Sequence, residues 1–219
     1  MKFWITAILF VLWSTLMLFP LPGLPKLGNF LNYSSGIMQL YAPEFTEKND
    51  IYLTDERYQG EIILDSLQIP HIFAEDDASA AYLLGYMHAR DRMFQMELII
   101  RMVQGKLSEL VGDKAVKSDI FWRKFQFESR HANFFQQKIS LDSLQAKNYV
   151  AYADGVNAYN QQMDRANLPE EYLLLDAKPM EWKPYYSLHL IKYMGNTISN
   201  RDYDPGFQQI ANTLPKELI

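Results

Sequence analysis

Cysteine is absent from the sequence, which removes disulfide staples, cysteine-ligated zinc and thiol catalysis together. A basic excess is absent too. Against 26 Asp and Glu stand 21 Lys and Arg, a formal net charge of −5, and no basic stripe recurs along a helical stretch. A phosphate-backbone footprint needs such a stripe, so nucleic acid is excluded as a partner. The sequence also holds no G-x-S-x-G elbow, no S-x-x-K pair and no H-x-x-x-H metal pair. Its serines sit in ordinary helical or loop contexts, and His71, His131 and His189 are scattered as surface or packed residues. A hydrolytic nucleophile needs an adjacent base, so the chain carries no self-sufficient active site.

What is present is core material. Of the 219 residues, 48% are hydrophobic and 14% aromatic, which suits one packed domain plus a targeting segment and argues against disorder. Lys2 precedes the uncharged run Phe3–Phe19, and Pro20, Pro22 and Pro25 follow it. A helix of that length is at the lower limit for spanning a hydrocarbon core of roughly 30 Å. Residues 1–25 therefore read as a signal or membrane anchor. No small-residue cleavage site follows the run, which favours an uncleaved anchor over a removed leader, with the rest of the chain on the periplasmic or extracellular face. A buried core helix is the plainer alternative. Residues 26–59, rich in Pro, Asn and Ser and then charged over Glu44–Asp50, read as a tether. Residues 60–219 are the expected domain.

Within that domain the fold class is α+β and helix-dominated. Glu61–Leu64 and Ile69–Ala74 are β-prone runs separated by a turn, with Pro70 confined to a strand start or edge. Glu75, Asp76 and Asp77 form a strong helix entry, and Ala78, Tyr82, Gly85, Ala89, Met93, Met96, Ile100 and Val103 recur every three or four residues. Leu83, Leu84, Leu98 and Ile99 widen the stripe until most of the circumference is apolar, so other elements must surround this helix. Gly105 and Gly112 mark its break, with Lys106 and Glu109 paired between them. Further helices are expected over Lys114–Phe127, Arg130–Ile139, Asp142–Met163, Glu170–Asp176, Tyr185–Ile198 and a last segment ending at Pro215.

Four polar residues, His88, Asp91, Arg92 and Gln95, share one side of the long helix. They read either as an acid–base or binding cluster or as a buried polar network. The apolar character of the rod favours burial, and buried charges persist only when paired. Ten methionines with 13 Phe, 14 Tyr and 4 Trp exceed what a short helical array can cover, so an obligate apolar partner surface is expected.

The unbroken pattern of Gly60–Gly112 resembles the N-terminal segment of the penicillin acylase family. The run Glu181–Met194, EWKPYYSLHLIKYM, is similar to that family's tryptophan-proline loop leading into a pocket helix. The resemblance extends in order from Gly60 to Leu214 and is looser between Asp113 and Tyr172. It implies the N-terminal portion of an αββα N-terminal-nucleophile hydrolase fold, from the α-subunit region of a self-cleaving precursor. The attacking serine would then be the first residue of a β-subunit, with its own α-amine, unperturbed pKa near ~8, as general base. The resemblance further implies hydrolysis of a small N-acyl amide, with β-lactam side chains and acyl-homoserine lactones among the substrates of the family. Met194 and Ile198 would line the acyl pocket, and Asp204 would contribute one ligand to a calcium ion shared with the β-subunit, with Asp202 as a substitute. No organic cofactor is implied. Core packing is the plainer role for Met194 and Ile198, and a helix cap before Pro205 for Asp204. Two rival functions stand beside this one: a non-catalytic, membrane-tethered helical interaction domain, and a histidine-dependent enzyme using His88 and Asp91.

Overall fold

The computed structural model describes residues 2–19, 27, 28, 51, 52, 55–137, 143–163, 168–199 and 209. Helix α1 (Lys2–Leu18) is followed by strands β1 (Ile51–Tyr52), β2 (Gly60–Leu64) and β3 (Pro70–Ala74). Helices α2 (Asp77–Gln104), α3 (Ser108–Val111), α4 (Val116–Arg123), α5 (Phe127–Gln137), α6 (Leu144–Gln162), α7 (Glu170–Leu175) and α8 (Tyr186–Ile198) complete the described fold. This is a helix-dominated α+β arrangement around one three-stranded antiparallel sheet, ordered β1-β2-β3.

The sheet is built as the alternation predicts. Ile62 pairs with Ile72 and Ile63 with His71 across β2 and β3. Ile62 and Leu64 turn inward and join Tyr82, Leu83, Tyr86 and Met87 of α2 in one core cluster. The opposite face carries Ile63 and Phe73, with Phe73 55% exposed. Strand pairing begins before Gly60, because β1 adds to the outer edge of β2. Tyr58 is buried, stacks on Tyr82 at 4.6 Å between ring centroids and donates its hydroxyl to Asp154 at 2.9 Å.

Helix α2 starts where the acidic triplet places it. The Asp76 carboxylate accepts the Ser79 N–H at 2.7 Å, satisfying one of the orphan donors of the first turn. The helix ends at Gly105, whose φ of 66° is left-handed and lets its N–H reach the Arg101 and Met102 carbonyls. Glu109 faces Arg101 at 3.5 Å, so it pairs along α2 and not with Lys106. Asp119 of α4 accepts the N–H groups of Leu107 and Ser108, supplying the acceptors that the start of α3 lacks. The single helix expected over Lys114–Phe127 is instead a short 3₁₀ turn, Asp113–Ala115, followed by α4; Gln126, at φ 53°, then separates α4 from α5.

The central contact is between α2 and α6. At their crossing each helix presents a glycine to the other's backbone: a Cβ on Gly85 would run into the Tyr152 carbonyl, and a Cβ on Gly155 into that of Tyr82. Ala89, Ile100, Ala153 and Val156 continue the contact around Trp182 and Tyr186.

The membrane anchor expected at residues 1–25, and with it the membrane as a partner and a membrane-anchored localisation, is not supported. Among the described residues no helix is long and apolar enough to cross a membrane. Helix α1 has 17 residues, about 25 Å at 1.5 Å per residue, against a hydrocarbon core of roughly 30 Å.

Replacing Gly85 or Gly155 with alanine is expected to destabilise the protein by about 1–3 kcal/mol, since backbone must move in a packed crossing. The gain in helix propensity, on the order of 1 kcal/mol, offsets this only in part. Thermal melts of the complete protein check it; an unchanged or raised Tm for both variants would show that the helices do not meet at these residues.

Candidate functional site

The loop leading into α8 is fixed from two sides. Asn157 of α6 donates to the Trp182 carbonyl at 2.9 Å and accepts its N–H at 2.8 Å, while Asn160, one turn on, donates to the Met180 carbonyl at 3.1 Å. From α2, the buried Glu97 carboxylate accepts the Met180 N–H at 2.9 Å and the Tyr172 hydroxyl at 2.7 Å, and pairs with Arg101 at 2.6 Å. A carboxylate this enclosed is tolerable only because three donors surround it. Burial, then that carboxylate, push the Tyr172 phenol above its usual range, so it remains a donor. Trp182, 5% exposed, is thereby set in the α2–α6 core.

Helix α8 then presents two faces. Inward, Tyr186 packs edge-on against Trp182 at 5.5 Å, His189 is completely buried, and Tyr193 lies 6.2 Å from Trp122. The polar anchor on this face is Glu128 of α5. Its Oε2 accepts from His189 Nε2 at 3.0 Å and from Gln104 at 2.8 Å, and its Oε1 accepts the Tyr185 hydroxyl at 2.8 Å. On its other edge, His189 Nδ1 lies 3.1 Å from His131 Nδ1, one of the two donating to the other. Burial opposes ionisation of Glu128, but hydrogen bonds from His189, Tyr185 and Gln104 outweigh it and hold the carboxyl at about 2. His131 is pushed down to about 4, by burial first and then by His189 and Lys192, with Glu128 opposing.

Outward, Leu190, Ile191, Met194 and Ile198 form an exposed apolar stripe, with Met194 48% and Ile198 75% accessible. Met194 and Ile198 therefore share a surface one helical turn apart, and neither is packed as core. Asp204, Asp202 and all of the last expected helix but Gln209 lie outside the described residues. Among the described residues no three His, Cys, Asp or Glu side chains converge as metal ligands.

His88, Asp91, Arg92 and Gln95 do share a side of α2, but that side faces outward and all four are exposed. The buried-network reading of them is not borne out within the described domain, where α2 also leaves helical geometry at Arg92, with φ −142° and ψ 19°. His88 Nδ1 reaches the Tyr152 hydroxyl at 2.9 Å. Partial burial lowers the His88 pKa and Asp91 opposes the shift. His71 contacts Asp65 at 3.4 Å on the surface. Among the described residues no serine hydroxyl is hydrogen-bonded to a histidine. The arrangement can build a wall and hold it in place; a nucleophile–base pair is not among its parts.

The family model described as penicillin amidase matches residues 59–219. The chain belongs to the penicillin amidase family. It is 38% identical over 132 residues to penicillin acylase 2 proenzyme of Pseudomonas sp. strain SE83, covering 60% of this chain and 16% of that protein. To penicillin G acylase of Escherichia coli it is 30% identical over 146 residues, covering 64% and 16%. To acyl-homoserine lactone acylase QuiP of Pseudomonas aeruginosa it is 35% identical over 120 residues, covering 55% and 14%. The match thus spans about one sixth of the length of these relatives. Among solved structures, thermostable penicillin G acylase from Alcaligenes faecalis in tetragonal form is similar at a TM-score of 0.56 and 27% identity, over 73% of this chain and 86% of that one. Within the penicillin amidase family the chain is an α-subunit-like region, the helix-dominated α+β portion of the N-terminal-nucleophile hydrolase fold.

Sequence reasoning treated His131 and His189 as unrelated and passed over Glu128. A usable signal was present: Glu128 and His131 are three apart on α5, and Tyr185, the N-cap of α8, stands four before His189, so each pair shares a helix face.

The anchor also makes stability depend on pH. Glu128 in the folded state sits below its ordinary value of 4.5, and His131 below 6.5. In both cases the unfolded chain binds its proton first on acidification. Stability is thus complete above pH about 6.5, and is lost first as pH falls toward 4 through His131 and then toward 2 through Glu128. His131→Phe, which keeps the stack on Phe127 (5.2 Å), is expected to flatten the upper part of this decline. Melting curves of the complete protein between pH 7.5 and 3 check it; superimposable profiles for wild type and variant would contradict it.

Proposed function

We propose that this chain is the α-subunit region of an amidohydrolase of the penicillin acylase type, which cleaves the amide bond of small N-acyl compounds. The observation that carries the reading is the α8 surface: an apolar stripe held out on a rigidly anchored helix, in a chain of this family without a nucleophile–base pair among its described residues. Met194 and Ile198 serve as one wall of the acyl pocket. The attacking serine belongs to a second subunit, encoded in the part of the family's length that this chain does not cover. The name proenzyme, carried by the relative from Pseudomonas sp. strain SE83, supports processing of a precursor.

Two uncovered apolar faces support the partner. Fully covering a large aliphatic or aromatic side chain contributes roughly 1.5–3 kcal/mol, so four half-exposed side chains on α8 offer several kcal/mol to a surface that closes over them. The outer sheet face with Ile63 and Phe73 is suited to a second sheet packed against it, as an αββα sandwich requires. Calcium, if held, takes six to eight oxygen ligands, so Asp204 could only complete a site made largely by the second subunit. The acyl group is a β-lactam side chain, an acyl-homoserine lactone tail or a chemically similar acyl chain, in line with the names of the relatives.

Expression of the complete precursor, with N-terminal sequencing of its products and assay on N-acyl amides, tests this. Two chains are expected, the second beginning with serine, and replacing that serine with alanine should lower amide hydrolysis by at least about 1,000-fold. Full hydrolysis by an unprocessed or serine-free protein would overturn the reading.

A further inference from the structure

We infer that Glu128 is a positioning residue for acyl selectivity: its carboxylate, clasped by His189, Tyr185 and Gln104, fixes the rotation of α8 and so the shape of the wall that Met194 and Ile198 present. This rests on the acylase reading above and adds to it the residue that sets the pocket.

The argument begins with what holds α8. Its inward face meets the rest of the fold through aromatic contacts at Tyr186 and Tyr193, which are broad in geometry and tolerate sliding. Glu128 is different, because it takes one donor from the N-cap of α8 and one from its first turn, the Tyr185 hydroxyl and the His189 ring, at 2.8 and 3.0 Å. Charge-assisted hydrogen bonds are directional and about twice as strong as neutral ones. Gln104, at the end of α2, gives the same carboxylate a third donor and so ties α8 to the central helix.

Room for movement lies beside this anchor. A cavity of about 390 Å³ is lined by Val103, Gln104, Trp122, Phe127 and Glu128 itself. When the carboxylate is lost, the side chains at positions 104 and 128, which line that space, can shift into it and release Tyr185 and His189. A rotation of α8 by about 10° moves side-chain tips, roughly 5–6 Å from the helix axis, by about 1 Å. Misplacement on that scale, even far from the reacting bond, can cost on the order of 100-fold in rate.

The test is Glu128→Gln in the complete, processed protein, assayed for kcat and KM on a series of N-acyl amides from short-chain through phenylacetyl to long-chain. The carboxamide keeps the acceptor for Tyr185 but turns a donor toward Gln104 and His189. The expected result is intact processing, a KM raised about tenfold or more for the preferred acyl group, and a changed order of preference along the series. Tyr185→Phe, which removes one hydrogen bond and retains the charge, should change the order in the same direction by about threefold, and it carries the test if the glutamine variant yields no processed protein. An unchanged order of preference, or a uniform loss across the series, overturns the proposal, the second outcome showing a merely structural role. Hydrogen exchange of the α8 amides is read in the same proteins. If the wild type cleaves none of the series, faster exchange in the variant upholds the positioning role and only the acylase reading falls; unchanged exchange overturns both.

Discussion

Helices α2 and α6 cross so closely that neither has space for a Cβ at the point of contact. Gly85 admits the Tyr152 carbonyl and Gly155 admits that of Tyr82, and the rest of the described domain is placed from this reciprocal contact. At the N-terminal half of α2, the inward face of the sheet packs on Tyr82, Leu83 and Tyr86. Along its middle, Ala89 and Ile100 with Ala153 and Val156 enclose Trp182. Near its C-terminus, Glu97 reaches α7 and the loop after it, and Gln104 reaches Glu128 of α5, the carboxylate that holds α8. Two backbones held this near leave small residues at the crossing and large ones on either side, which is where the neighbouring elements dock.

The same arrangement decides what is left uncovered. A helix pair and a small sheet have more faces than they can bury against one another, and two of the uncovered ones present large apolar side chains: the outer side of the sheet at Ile63 and Phe73, and the stripe on α8 from Leu190 to Ile198. The α8 stripe is backed by the directional hydrogen bonds of Glu128, and the sheet face by the apolar core of Ile62, Leu64 and α2. Rigid backing with an apolar front suits a surface that is completed by another body and forms one side of a binding cavity.

Much of the fold was legible because its signals are local. Asp76 before Ala78, the three-to-four spacing from Ala78 to Val103 and the alternation from Glu61 to Ala74 each report a backbone state within a few residues. The resemblance over Gly60–Gly112 likewise identified the family. What stayed hidden depends on distance or on small margins. His131 and His189 are 58 residues apart and meet only through packing of α5 on α8. His88, Asp91, Arg92 and Gln95 were expected to be buried because the whole rod is apolar, yet all four are exposed on the described domain. At the N-terminus, the described helix α1 is a few ångströms shorter than a hydrocarbon core of roughly 30 Å, a margin that hydropathy alone does not resolve.

Coverage of those two apolar faces in the assembled protein is the central claim, and side-chain oxidation footprinting reads it directly. In the processed complete protein, Met194 on α8 and Phe73 on β3 are predicted to be strongly protected from hydroxyl radicals, relative to the same residues in the protein unfolded by denaturant. Oxidation of Met194 and Phe73 at rates typical of free surface residues would contradict the account.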